Sequence, residues 1–91
     1  MYQLGIDVSK ASLDICLLLD GVRGRIKTKK LKNDYRAVNS IISWLQQQNC
    51  KPEDVQTIME ATGVYHELLA TGLHLAGVPL PLCIAMLTYS G

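Results

Sequence analysis

Two acidic residues stand where packing alone would not put them. Asp7 lies at the centre of Leu4-Gly5-Ile6-Asp7-Val8-Ser9-Lys10, and Glu60 closes the apolar run of Thr57-Ile58-Met59-Glu60-Ala61-Thr62-Gly63. Burying a lone carboxylate is costly unless something positive answers it. Two such acids on neighbouring strands repel and call for a cation. Hard oxygen ligands at a partly open site suit Mg²⁺ or Mn²⁺, which keep several waters and take substrate phosphate as further ligands. Two such ions about 4 Å apart can hold the attacking and leaving oxygens of a phosphodiester displacement. The plainer reading makes Asp7 an acceptor of backbone hydrogen bonds and Glu60 an exposed acid at a helix start. Spacing alone favours the plainer reading.

The elements that must position these acids follow from periodicity. Tyr2 to Val8 reads as a first strand and Ser12 to Leu19 as a second, with Leu13, Ile15, Leu17 and Leu19 on one face and Asp14 and Cys16 on the other. Asp20-Gly21 then signals a tight turn. A third strand over about Arg23 to Leu31 sets Arg25, Lys27 and Lys29 on one face and Ile26, Thr28 and Lys30 on the other. Such lysine loading suits a sheet edge. Asn33 or Asp34 caps a helix with Val38, Ile41, Ile42 and Leu45 on its apolar face, closed by Lys51-Pro52. Val55 to Glu60 is a fourth strand. Thr62 caps a second helix whose stripe is Val64, Leu68, Gly72, Leu75 and Ala76, with Gly77 as its left-handed stop. A fifth strand begins at Val78, awkwardly, because Pro79 and Pro81 lack backbone donors.

A chain of 91 residues makes one small domain, and 48% hydrophobic with 19% charged residues is a globular composition. With no Phe and one Trp, the core is built from Leu, Ile, Val and Ala, with Trp44 as the largest contact of the first helix. Cys16, Cys50 and Cys83 are odd in number and widely spaced, which argues against a disulfide frame or a zinc site. No signal-peptide pattern opens the chain, and Leu75 to Leu87 is short for a membrane span. A cytoplasmic protein with no membrane partner is expected. The net charge of +1 hides a patch, since Arg23, Arg25, Lys27, Lys29, Lys30 and Lys32 are six of the nine basic residues. That strand is either a solvated edge or a phosphate-contacting surface. Ser9 and Ser12 have no neighbouring base and read as turn residues. His66 and His74 are too far apart on one helix to share an ion.

The order strand, strand, strand, helix, strand, helix, strand is a meander feeding parallel strands through crossovers. It is the plan of a ribonuclease H-like (RuvC-like) α/β domain with a mixed five-stranded sheet, in which the first and fourth strands lie side by side. Gly5-Ile6-Asp7-Val8-Ser9-Lys10, then Leu13-Asp14, then Met59-Glu60-Ala61-Thr62-Gly63-Val64-Tyr65-His66 together resemble the N-terminal half of a DEDD-type insertion-sequence transposase of the IS110 group. The similarity covers about Gln3 to Val78. It implies a metal-dependent nuclease domain acting in DNA transposition, with Asp7 and Glu60 as the first two of four acidic catalytic and metal ligands. It also implies Mg²⁺ or Mn²⁺ as cofactor, and DNA and a guide (bridge) RNA as partners. Lys10, Arg23, Arg25, Lys27, Lys29 and Lys30 are then the candidate nucleic-acid contacts.

Beyond Val78 the resemblance lapses. The family continues into an Asn-Pro segment and a helix with two aspartates three residues apart, then a second domain with a nucleophilic serine. This chain runs from Pro79 to Gly91 with no acid after Glu67. The expectation is a truncated domain over residues 1–78, lacking the C-terminal helices, followed by a divergent tail over 79–91 of the kind a frameshift produces. Metal binding is then weak or absent and catalysis by the fragment slight. Two other functions compete. One is a non-catalytic nucleic-acid-binding or dimerisation fragment, pairing with itself or with full-length transposase. The other is part of an actin-like ATPase or sugar kinase, whose phosphate-binding turn also uses Gly-Ile-Asp before a hairpin. That reading wants a second glycine-rich loop.

Overall fold

The computed structural model describes residues 2–19, 26–61 and 66–85. In chain order these form β1 (Tyr2–Val8), β2 (Ser12–Leu18), β3 (Ile26–Lys32), α1 (Ala37–Gln47), a 3-10 turn (Pro52–Asp54), β4 (Val55–Ala61), α2 (Glu67–Leu75) and β5 (Leu82–Ala85). The sheet order is β3-β2-β1-β4-β5. β1 pairs antiparallel with β2, and β2 with β3; β1 pairs parallel with β4, and β4 with β5. The architecture is therefore a mixed five-stranded α/β sheet, with β1 and β4 inside it.

Alternation along the strands separates the two faces. Leu4, Ile6 and Val8 of β1, Leu13, Ile15 and Leu17 of β2, and Val55, Thr57, Met59 and Ala61 of β4 are buried. Ile41, Trp44 and Leu45 of α1 and Leu69 and Leu73 of α2 cover them. Fully burying an aliphatic side chain is worth about 1.5–3 kcal/mol, so this shared layer holds the sheet to its helices. The opposite face carries Gln3, Gly5 and Asp7, then Asp14, and Gln56, Ile58 and Glu60, all exposed.

Several element ends differ from expectation. β2 stops at Leu18, and Leu19 is partly buried beyond it. β3 begins at Ile26; Arg23 and Arg25, together with the Asp20-Gly21 turn, lie outside the described residues. Neither Asn33 nor Asp34 is the cap of α1. The cap position is Arg36, while Asp34 works one turn earlier, its Oδ1 accepting from the Arg36 N–H at 2.9 Å and its carbonyl from the Ala37 N–H at 3.0 Å. Asn33 reaches instead to the Ser9 carbonyl, donating from Nδ2 at 2.8 Å. α1 is ended by Asn49 in the left-handed region (φ 61°), with its N–H on the Gln46 carbonyl and the Cys50 N–H on the Leu45 carbonyl. Lys51-Pro52 comes after that stop, and Pro52 opens the 3-10 turn.

α2 sits at a different rotation from the expected stripe. Leu69 and Leu73 face the core, whereas Leu68 is 88% and Leu75 81% exposed, and Ala76 is exposed as well. Glu67, Thr71 and His74 form the polar side of this helix with Leu69 and Leu73 opposite, but the apolar sector is wide and leaves the exact buried side open. Packing on α1 chooses it, because a Cβ on Gly72 would come within 2.6 Å of Val38 Cγ2. Thr62 and Val64 lie outside the described residues, and the helix cap is His66 without a side-chain hydrogen bond. Gly77 does stop the helix as expected, with φ 104°; its N–H meets the His74 carbonyl at 3.1 Å and the Val78 N–H meets the Leu73 carbonyl at 3.0 Å.

Pro79 and Pro81 precede β5, which spans only four residues. No ladder donor is lost to proline within it.

Candidate metal and nucleic-acid site

Asp7 and Glu60 are register partners on the parallel strands β1 and β4. Adjacent strands lie about 4.8 Å apart, and residues in register share a face, so both carboxylates rise from the open side as neighbours. They lie near the C-terminal ends of their strands, where open α/β sheets commonly hold ligands. Ile6 and Val8 bury their side chains on the other face, so Asp7 has its apolar neighbours without sharing their burial.

The cross-strand ladders extend the pair into a row. Asp14 of β2 is opposite Asp7, Lys30 of β3 is opposite Asp14, and Ile84 of β5 is opposite Glu60. Lys30, Asp14, Asp7, Glu60 and Ile84 thus follow one another across the open face. Asp14 is the site residue that sequence reasoning left unassigned. Period-two counting placed it opposite Leu13, but only the tight β1–β2 connection aligns it with Asp7. That connection is tied by serine hydroxyls, as expected for a turn: Ser9 Oγ donates to the Ser12 carbonyl at 2.9 Å and accepts from the Ser12 N–H at 3.2 Å.

A cleft of about 760 Å³ lies over this row, bordered by Asp7, Asp14, Glu60, Gly5, Ile6, Ile15, Cys16, Thr28, Lys29, Lys30 and Ile58. The exposed pair offers hard oxygen donors toward open solvent, a set that suits a divalent ion retaining most of its waters. Among the described residues, no three His, Cys, Asp or Glu side chains converge to hold an ion. The donors present therefore fit an ion held from one side, with Asp14 one strand removed.

The basic candidates divide between the faces. Lys30 stands on the acidic face, in register with Asp14. Lys27 and Lys29 align with the buried Leu17 and Ile15, on the helix side of the sheet edge. Lys29 borders both the acidic cleft and a second one beside α1, near Trp44 and Gln47. Lys10 is exposed and borders another cleft, with Asn33, Tyr35 and Leu68. Among the described residues, no helix is long and apolar enough to cross a membrane.

A family model described as a transposase, of the IS110 DEDD type, matches residues 4–88. The chain belongs to this transposase family. The match includes Asp7, Asp14 and Glu60 and continues through β5. No curated protein matches the chain. Among solved structures, YeaZ from Pseudomonas aeruginosa is similar at 16% identity with a TM-score of 0.59, covering 93% of this chain and 45% of that one. An uncharacterized protein described as similar to peptidase YeaZ from the same organism gives 16% identity and a TM-score of 0.62, covering 92% and 43%. An Aquifex aeolicus Ppx/GppA phosphatase gives 11% and 0.51, covering 93% and 36%. The transposase-family chain thus spans less than half the length of these structures. At such identities the likeness is one of fold.

Proposed function

We propose that this chain supplies the first half of the metal site of a DNA transposase, with a ribonuclease H-like (RuvC-like) sheet presenting Asp7 and Glu60 to Mg²⁺ or Mn²⁺. The observation that carries the reading is the register of these two acids on the inner strands of an open face, in a chain of the transposase family. A bound divalent ion there would polarise a phosphodiester oxygen and lower the pKa of an attacking water. Asp7 and Glu60 hold and orient that charge from the sheet side. Lys30 adds positive charge at the end of the same row, where a phosphate can approach. Two carboxylates fill only part of the coordination shell of Mg²⁺. The chain by itself then binds metal weakly and cuts DNA poorly, if the remaining ligands come from residues outside it. DNA is the partner proposed first; a guide RNA, and a second copy or a longer transposase chain, are proposed after it.

Mn²⁺ titrated into isotopically labelled protein should broaden the amide signals around Asp7 and Glu60 first. Asp7→Asn should remove the effect. Uniform broadening, or broadening centred elsewhere, would count against the site. The actin-like ATPase or sugar kinase reading draws on fold likeness alone, and one fold hosts unrelated chemistries. Saturable shifts on titration with ATP, absent with oligonucleotide, would favour it.

A further inference from the structure

Gly5 is the cleft residue for which the fold gives no reason. It lies in the middle of β1, where a glycine weakens a strand and offers nothing to pack. Its φ is outside the left-handed region, unlike that of Gly77. A Cβ built on it would meet nothing nearer than the Cys16 carbonyl oxygen, at 4.0 Å. Neither backbone conformation nor crowding therefore requires glycine here.

Its position in the sheet suggests what the missing side chain provides. Gly5 is in register with Cys16 on β2 and Ile58 on β4, one step before the ionic row of Lys30, Asp14, Asp7 and Glu60. The gap over Gly5 is thus a trough with an apolar floor and a charged rim, inside the cleft of about 760 Å³. Interior glycines in strands often mark a close approach by a ligand. An apolar protein segment laid in the trough would strip water from the carboxylates without pairing them, at high cost. A polymer that alternates apolar and anionic groups meets both surfaces.

We infer that Gly5 is a positioning residue whose missing side chain gives clearance for a nucleic-acid strand, one sugar resting on the trough floor while the adjoining phosphate reaches the Asp7–Glu60 rim. Lys30 attracts the strand from the end of the row. The inference rests on the proposed function, since the phosphate meets the acids through a divalent ion.

The test uses the full chain and a short oligodeoxythymidylate in Mg²⁺, followed by amide chemical shifts. The parent should show shifts at Gly5, Cys16 and Ile58. Gly5→Val should melt no lower than the parent and keep Mn²⁺ broadening at Asp7 and Glu60. It should bind the oligonucleotide at least about tenfold more weakly, since one extra methylene in a fitted pocket already costs about tenfold and valine adds three carbons. Gly5→Ala should fall between them. Gln3→Val, on the same face but outside the cleft, should bind like the parent. Parent-like binding by Gly5→Val, loss of its fold, or no oligonucleotide shifts in the parent would each overturn the inference. Reduced self-association with unchanged oligonucleotide binding would overturn it too, by marking the trough as a protein contact. Oligonucleotide binding that depends on Gly5 without any Mn²⁺ broadening would instead overturn the metal reading.

Discussion

Thr57 shows how narrow the margin is between a buried position and a satisfied one. It lies on the core face of β4, 2% exposed, and its Oγ1 has no hydrogen-bond partner among the described residues. An unpaired buried hydroxyl costs about 1–3 kcal/mol. Thr57→Val keeps the shape and removes the polar atom, so it should stabilise the chain by about 1 kcal/mol. Calorimetry should show a rise of roughly 4–8 °C in the melting temperature. Cysteine reactivity is a second residue-scale expectation. Cys83 is exposed, Cys16 partly buried and Cys50 buried, with the Cys50 thiol raised above its ordinary 9.0 by desolvation. Iodoacetamide should therefore modify Cys83 first and Cys50 last, as read by mass spectrometry of peptides. The raised value means that the folded state keeps its proton longer than the unfolded state does. Its stabilising contribution is complete below 9.0 and is lost as pH rises through the folded value. Melting temperatures should fall over that alkaline range, and less steeply in Cys50→Ala.

α1 and α2 approach each other closely at Gly72. A methyl group at Gly72 would come within 2.6 Å of Val38 Cγ2, and valine is stiff about χ1. Alanine gains about 1 kcal/mol in helix propensity. Forcing atoms into a packed contact costs about 1–3 kcal/mol, so Gly72→Ala should be net destabilising. Adding Val38→Ala should recover part of the loss. Simple additivity of the two changes in denaturant melts would show that the contact does not set the rotation of α2. The same contact explains why Leu68 and Leu75 are left outside, since turning them inward would move Gly72 away from its fit against Val38.

At the scale of the whole molecule, the sheet has one face covered by helices and one open. Ile58, Leu82 and Ile84, at 40%, 60% and 46% exposure, make the β4–β5 end of the open face apolar. Exposed apolar surface of this kind favours association. Leu82→Thr combined with Ile84→Thr should lower concentration-dependent association in sedimentation experiments while leaving Asp7 and Glu60 in place. The acidic row and this apolar end share one surface, so metal binding and self-association are expected to compete for it. Mg²⁺ at high concentration should shift the parent chain toward the monomer.

Much of this arrangement was legible along the chain because strand alternation and strand order are local or near-local properties. Leu4, Ile6 and Val8 point one way and Asp7 the other whatever the rest does, and three strands before the first helix make a meander the economical path. Glycine at position 77 likewise announces the end of α2 by its own backbone freedom. The resemblance of the Asp7 and Glu60 segments to a transposase was also readable in one dimension. Other features arise only from pairing between distant segments. The β1–β2 register brought Asp14 to Asp7. Alternation already separated Lys30 from Lys27 and Lys29, but the β2–β3 register decided that Lys30 is the one on the acidic face. The rotation of α2, whose apolar sector is wider than the side it buries, was fixed by the fit of Gly72 against Val38. Sequence by itself determined which residues could be acidic ligands and which faces could be buried. Tertiary structure decided which of them share a surface, because register and helix rotation are set by contacts the linear order does not contain.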